Sequence, residues 1–408
     1  MSEPKRILIL SADAGFGHRS AALAIAAALE ETRGAAAVVE VVNPLDDPRA
    51  PAVLRSGQAT YDEIVRELPE LQRIGYDAVG RLSALGALEQ AATVLLFRVV
   101  ADLLKRHQPD VVVNTYPIYQ APLEAAFTIR RHECPVVTVI TDLGTVTRAW
   151  FHEVADLCVV PNERVRGMAL EAKLAPAAVE VIAIPVHPRL ARETRPPAVL
   201  RAELGWQTEP LTVLGVGSRR VTKLAEAVDV LNHAGFPLQL ALVAGGDDDL
   251  YQRLQKTDWH VPAHVYNFVD NLPALIKAAD LVVTKAGGLI TTESLACGRP
   301  MLIIEYIPGQ EVGNVEYVVE NGAGAFAEPP LSLLRTLCHW LADDGRPLRQ
   351  AAEQARRLGN PRAAYQIAER VWTLALQGPS RFGRLERLAR LLPGTSALLD
   401  RFNIKWRE

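Results

Sequence analysis

The sequence has no C-x-x-C pair. Its four cysteines, Cys134, Cys158, Cys297 and Cys338, are scattered, and none has a histidine at metal-ligand spacing. That argues against structural zinc and a disulfide framework and for a reducing compartment. A long hydrophobic run is also missing. The best candidate, Ala91 to Leu104, is broken by Arg98 and Asp102, short of the ~18 apolar residues that a spanning helix needs. After Met1–Arg6 comes only the short apolar run Ile7–Leu10, without the longer apolar region and small-residue cleavage site of a secretory signal. Nor is there an excess of positive charge. The net charge is −3, so no global basic field marks a nucleic-acid binder, and no nucleic-acid partner is expected. A cytoplasmic chain that is soluble, or lies on a membrane without crossing it, is what these absences leave.

What is present is a globular composition, 49% hydrophobic and 22% charged, over 408 residues. That length exceeds one compact α/β core and predicts two domains. Short β-rich runs fall at Arg6–Leu10, Ala37–Val42, Asp110–Asn114, Val136–Ile140, Leu157–Val160 and Val179–Ile182. Between them lie helical patterns such as Arg19–Glu31 and Thr93–His107. The series restarts with Leu211–Val216, Leu238–Val243, His264–Tyr266, Leu281–Thr284 and Met301–Ile304. Near-continuous apolar strands alternating with helices predict parallel sheets covered on both faces. Between the halves, Ile184-Pro185-Val186-His187-Pro188 and the Pro-containing stretch Arg192–Pro197 read as the linker. The expectation is two doubly wound, Rossmann-like α/β domains, residues 1–190 and 191–375, facing a cleft, with a basic tail over 376–408. Ligands in such sheets sit beyond the carboxyl ends of the strands.

The first strand runs into Asp13-Ala14-Gly15-Phe16-Gly17-His18-Arg19-Ser20 and then an alanine- and leucine-rich helix. Glycines at a strand-to-helix turn admit a ligand close to backbone N–H groups. Ser20 stands where G-x-G-x-x-G requires its last glycine, so a nicotinamide cofactor is not expected. His18, at the mouth of the loop, is suited to taking a proton from an attacking hydroxyl, with Asp13 to orient or charge-stabilise it. A histidine that only caps the helix is the alternative.

The strongest local signal is Thr284-Lys285-Ala286-Gly287-Gly288-Leu289-Ile290-Thr291-Thr292-Glu293. A strand ending at a Gly-Gly turn, with a helix opening on threonines, makes a diphosphate cradle from Gly287, Gly288, Thr291 and Thr292. Glu293 is either a dipole-favoured surface charge or the acceptor of both hydroxyls of a ribose diol. The turn Pro308-Gly309-Gln310-Glu311 offers donors and acceptors suited to sugar hydroxyls, or is an ordinary exposed turn. In the loop Gly217-Ser218-Arg219-Arg220 an arginine is placed to neutralise phosphates or to block a pocket.

The pattern K-x-G-G-x-x-x-T-E-x-x-x-x-G-x-P followed by P-G-Q-E-x-x-N resembles the processive diacylglycerol glucosyltransferases and monogalactosyldiacylglycerol synthases, inverting UDP-sugar-dependent enzymes of the GT-B fold. The likeness runs over roughly residues 5 to 375, by motif order and spacing. It includes Gly15-x-Gly17-His18-Arg19, Gln108-Pro109-Asp110, Thr141-Asp142, Trp150-Phe151-His152-Glu153 with Asp156, and Ile184-Pro185-Val186-x-Pro188. Phe16 stands where the family has glycine, Ala286 where it often has proline, and Arg219-Arg220 where smaller residues are usual.

The resemblance implies His18 as general base, with Asp13 and Asp142 in the acceptor half, together with Gly15, Gly17, Trp150 and His152. It places the uracil at Phe268-Val269, the diphosphate at Gly287, Gly288, Thr291 and Thr292, the ribose at Glu293 and the hexose at Gln310 and Glu311. Asn314 supports that turn, and Gly217 and Arg219 join the donor side. The implied reaction moves glucose or galactose from a UDP-hexose to diacylglycerol or a related lipid, with inversion and no metal or other cofactor. A UDP-GlcNAc-dependent transferase on another lipid acceptor, and a non-catalytic nucleotide-sugar-binding regulator, are the alternatives. A lipid acceptor places the protein at the inner face of a membrane as a peripheral enzyme. The tail from Arg381 to Glu408 carries seven basic residues against three acidic ones, with Phe382, Leu385, Leu388, Leu391 and Leu392 at helical spacing. Such a segment suits an anionic membrane surface or packs on the protein body.

Overall fold

The computed structural model describes residues 3–13, 16–50, 96–130 and 134–378. Gly15 and the basic tail therefore lie outside the described residues. Among the described residues, twelve strands form two parallel sheets of six. The first contains β1 (Lys5–Leu10), β2 (Ala37–Val42), β3 (Val111–Asn114), β4 (Val136–Val139), β5 (Leu157–Val160) and β6 (Val179–Val181), in the order β2-β1-β3-β4-β5-β6. The second contains β7 (Leu211–Val216), β8 (Leu238–Val243), β9 (Ala263–Tyr266), β10 (Leu281–Lys285), β11 (Met301–Glu305) and β12 (Gly324–Phe326), in the order β12-β11-β10-β7-β8-β9. The strand β12 was not expected from the sequence. It is three residues long and alanine- and glycine-rich, too short to show a period against the flanking helices.

Each sheet reverses direction once, between β1 and β3 in the first and between β7 and β10 in the second. Chains leaving neighbouring strands for opposite faces open a crevice at that point, where ligands of doubly wound sheets bind.

Alternation along the strands fills both faces. Ile7, Ile9, Val111, Val113, Val137 and Val139 pack towards the first helix, Phe16–Arg33, while Leu8, Leu10, Val112 and Val136 pack towards the helical residues 96–107 and the segment around Tyr119, Leu123 and Phe127. The second sheet is built likewise. Val213, Leu240, Leu242 and Val283 face the helices Leu224–His233 and Leu331–Leu358, and Leu214, Ala241, Val243 and Val282 face Leu200, Leu275 and Ile276.

The last described helix, Ala363–Gln377, returns to the first sheet. Its Ala363, Ala364, Ile367, Ala368, Val371 and Ala375 recur at helical spacing, and their shared face is buried against the first helix and β1. The sequence expectation carried the second domain to residue 375. Apolar periodicity reveals that this helix has a buried face, not which sheet covers it. Arg370 bonding Glu180, and Tyr365 bonding Glu31 at 2.6 Å, tie its polar side to the same domain.

The two domains touch through backbone. A methyl group on Gly144 would lie 2.4 Å from the Gly313 carbonyl oxygen, and one on Gly313 would lie 2.3 Å from the Thr145 nitrogen. Gly313 N donates to Thr145 Oγ1 at 2.8 Å, and Leu143 N donates to Asn314 Oδ1 at 3.1 Å. Nothing larger than glycine fits at either position without displacing a main chain.

Ile367→Ala is expected to cost about 2–5 kcal/mol. Hydrogen exchange should accelerate in β1, β3 and the first helix while the second sheet keeps its protection. Loss confined to the second sheet would contradict this packing.

Candidate active site

The two sheets meet at their carboxyl ends. Thr141, just past β4, lies against the N-terminus of the helix Gly288–Ala296 that follows β10, where a methyl on Gly288 would sit 3.0 Å from the Thr141 carbonyl oxygen. Asn314 stitches the place together. Its Oδ1 accepts from Leu143 N, and its Nδ2 donates to Ala286 O at 2.9 Å. The residue expected to support the Pro308–Glu311 turn therefore bridges both domains.

On the first side, His18 is half-buried in the opening turn of its helix. Its carbonyl accepts from Thr115 Oγ1 at 3.2 Å, and its Nδ1 lies 2.8 Å from Thr141 Oγ1. The rings of Tyr116 and Trp150 stand 5.0 and 5.9 Å from its own. Removal from water lowers its pKa to about 4, a shift that a backbone hydrogen bond at Thr115 partly offsets. His18 is thus a neutral imidazole near pH 7, able to accept a proton. Asp13 is exposed, and Arg19 Nη1 contacts both its oxygens at 3.0 Å. Asp142 is half-buried beside the cleft. Burial pushes its carboxyl up to about 7, a hydrogen bond with Trp150 opposes that, and the Glu311 charge adds to it.

Trp150 is buried, and its carbonyl accepts from Gln120 Nε2 at 2.8 Å. The ring of His152 belongs to its own loop, with Nδ1 accepting from Val154 N and Nε2 3.6 Å from Glu124. Beside Gly17 nothing among the described residues lies within 4 Å of an added methyl, its chain neighbours and own helix backbone aside.

On the second side, the helix after β10 opens with Gly288-Leu289-Ile290, not with the threonines. Thr291 N already bonds Gly287 O at 3.0 Å, so the N–H groups without a helical acceptor are those of Gly288, Leu289 and Ile290. Leu289 and Ile290 were missed because an apolar side chain gives no sign that its amide is free. Thr292 Oγ1 donates to Gly288 O at 2.8 Å, an intrahelical bond, while Thr291 Oγ1 is buried with no partner among the described residues. Gly287 is the helix cap, in extended conformation.

Glu293 is nearly buried, 9% exposed, and burial alone pushes its carboxyl up to about 7. Both oxygens of Glu311 are engaged, one with Lys285 Nζ and the other accepting Ile307 N at 2.9 Å. That locks the Ile307–Glu311 turn onto the end of β10, with Gln310 half-buried beside it. Phe268 is exposed at 69% on the turn after β9, and Val269 packs into the core beneath it. Arg219 is exposed on the loop after β7. Gly217 faces inward: a methyl there would meet Leu250 at 2.7 Å and Leu224 at 2.9 Å. Its missing side chain lets the loop pack against the helices Leu224–His233 and Asp248–Gln255.

The family description Monogalactosyldiacylglycerol (MGDG) synthase matches residues 18–186, and Glycosyltransferase family 28 C-terminal domain matches residues 212–366. The chloroplastic monogalactosyldiacylglycerol synthase of Spinacia oleracea is 32% identical over 374 residues, 89% of this chain and 71% of that protein. The chain belongs to the monogalactosyldiacylglycerol synthase family. Monogalactosyldiacylglycerol synthase 1 of Arabidopsis thaliana is 30% identical over 89% of this chain and 70% of its own. Among solved structures, Acinetobacter baumannii MurG overlays with TM-score 0.57 at 17% identity, covering 91% of this chain and all of that one. The glycosyltransferase SnogD from Streptomyces nogalater gives 0.57 at 17%, covering 92% of this chain. These likenesses establish the GT-B fold of this family member, and with its relatives it is a glycosyltransferase.

If Glu293 accepts the ribose diol, as the family resemblance implies, its buried carboxyl predicts pH-dependent donor binding. A carboxyl raised in the folded protein holds its proton between its ordinary value and about 7, so folding stability from this group falls as pH rises through that window. Acceptance of two ribose hydroxyls needs the carboxylate. Affinity for UDP-glucose should therefore rise up to about tenfold per pH unit below 7 and level off above it, measured by calorimetry. Glu293→Gln should bind more weakly and lose that slope; an unchanged slope would assign it to another group.

Proposed function

We propose that this chain transfers galactose from UDP-galactose to diacylglycerol with inversion, forming a membrane glycolipid. What carries the reading is the meeting of a neutral, proton-accepting His18 with a helix N-terminus at Gly288 across a cleft sealed by Asn314. The names of the relatives supply the donor sugar and the lipid.

In this reading His18 takes the acceptor hydroxyl proton, and the freed oxygen attacks the anomeric carbon from the face opposite UDP. The bond to the diphosphate breaks, and UDP leaves with the electron pair. Charge developing on it meets the amides of Gly288, Leu289 and Ile290 and the positive end of the helix. Lys285, beside Gly287, stands on the same edge in an ion pair with Glu311. The assignment gives charge neutralisation to the protein, so turnover is independent of divalent metal.

Among the described residues no helix is long and apolar enough to cross a membrane. Peripheral attachment at an anionic surface is part of the proposal. It rests on the sequence of the basic tail, and deleting residues 380–408 should weaken vesicle co-sedimentation.

The deciding assay offers radiolabelled UDP-galactose and UDP-glucose with diacylglycerol in anionic vesicles, with and without EDTA. A galactolipid, formed equally with EDTA, is expected. A glucolipid would replace the sugar, and no product despite UDP binding would favour another lipid acceptor or a non-catalytic role. His18→Ala should lower turnover by roughly 10²–10⁴. An unaltered turnover number would remove His18 as the base.

A further inference from the structure

The side chain in contact with the ring nitrogen of His18 is a hydroxyl. Thr141 is 4% exposed, and its Oγ1 lies 2.8 Å from His18 Nδ1. Its position is fixed from three directions. Ile140 before it bonds across to β5 through Ile140 N and Val159 O at 3.0 Å. Asp142 after it is held by Trp150, and its own carbonyl abuts Gly288. One residue therefore contacts the acceptor half through its side chain and the donor helix through its backbone.

We propose that Thr141 is the positioning residue of the transferase centre. Its Oγ1 accepts the Nδ1 proton of His18, fixing the tautomer whose Nε2 carries the free lone pair and holding the ring at a set distance from the donor helix. The proposal rests on the reading of His18 as the base.

The chemistry separates the two possible tautomers. An imidazole protonated at Nε2 has no lone pair there and accepts nothing at that atom. With Nδ1–H donating to Thr141, Nε2 is free to take the acceptor hydroxyl proton. After transfer both nitrogens carry protons, and the Nδ1 bond persists, so the ring need not move during the step. Occupying this place with a neutral hydroxyl orients the ring without stabilising imidazolium as a carboxylate would. The depressed pKa of His18 agrees with that.

Among the described residues, the groups around the ring are few. Tyr116 is held neutral, its pKa raised to about 12 by burial. Trp150 does not titrate, and Thr115 meets the His18 carbonyl. Asp142 neighbours Thr141 in sequence, and the Asp13–Arg19 pair flanks the start of the helix.

The test compares Thr141→Val, Thr141→Ser and Thr141→Asp in the full chain, with nitrogen-15 NMR of the His18 ring as a readout independent of turnover. The wild-type ring is expected as the Nδ1–H tautomer. Valine keeps the shape but cannot accept. It should lower kcat by about ten- to a hundredfold with KM for the UDP-sugar within about twofold, and shift the ring towards Nε2–H. Serine should restore both. Aspartate should move the acidic limb of the kcat/KM profile upward by about one pH unit or more, a change separable from Asp142 by repeating it in Asp142→Asn. A Thr141→Val enzyme with wild-type kcat and tautomer, beside an inactive His18→Ala enzyme, would overturn the positioning role alone. Full turnover in His18→Ala would instead remove the base on which it rests.

Discussion

The whole arrangement depends on two glycines that let one main chain lie on another. Gly144 lies in the loop after β4 of the first sheet and Gly313 opens a helix of the second, and their backbones approach too closely for any side chain between them. Across this contact run the bonds from Gly313 N to Thr145 and from Leu143 N to Asn314. Asn314 is buried, and it spends its remaining donor on Ala286, the residue before the Gly-Gly turn. A single amide side chain therefore sets the distance between the loop after β4 and the loop after β10. Thr141, which touches His18, lies on the first, and the amides of Gly288, Leu289 and Ile290 follow the second.

Electrostatics at this junction follow from the same closeness. Removing water from the back of the cleft lowers the pKa of His18 and raises those of Asp142 and Glu293. The directions differ because burial disfavours whichever form is charged. Glu311, held by an ion pair, has Lys285 on one oxygen and a backbone amide on the other. It holds the sugar-side turn in place.

Much of this was legible in the residues. Near-continuous apolar strands announced parallel sheets, because a strand covered on both faces cannot alternate with polar residues. The first and second strands of each half were found close to their observed limits. The Gly-Gly turn, the histidine at the mouth of the first loop and the order of the motifs led to the family. Less legible were the short strand β12 and the amides of Leu289 and Ile290. Nor did the sequence show that the missing side chain of Gly217 makes room for Leu224 and Leu250.

By itself the sequence determined the two sheets, the cleft-forming loops and the family, since these rest on periodicity, turn chemistry and spacing along the chain. Tertiary structure alone decided the rest. It brought the helix Ala363–Gln377 back to the first sheet, because an apolar face specifies that it is buried but not its partner. It put Thr141, 123 residues distant in sequence, on the Nδ1 of His18. It also set Asn314 between domains. Contacts of that separation are fixed by how the two sheets pack end to end, and no local pattern of residues encodes that packing.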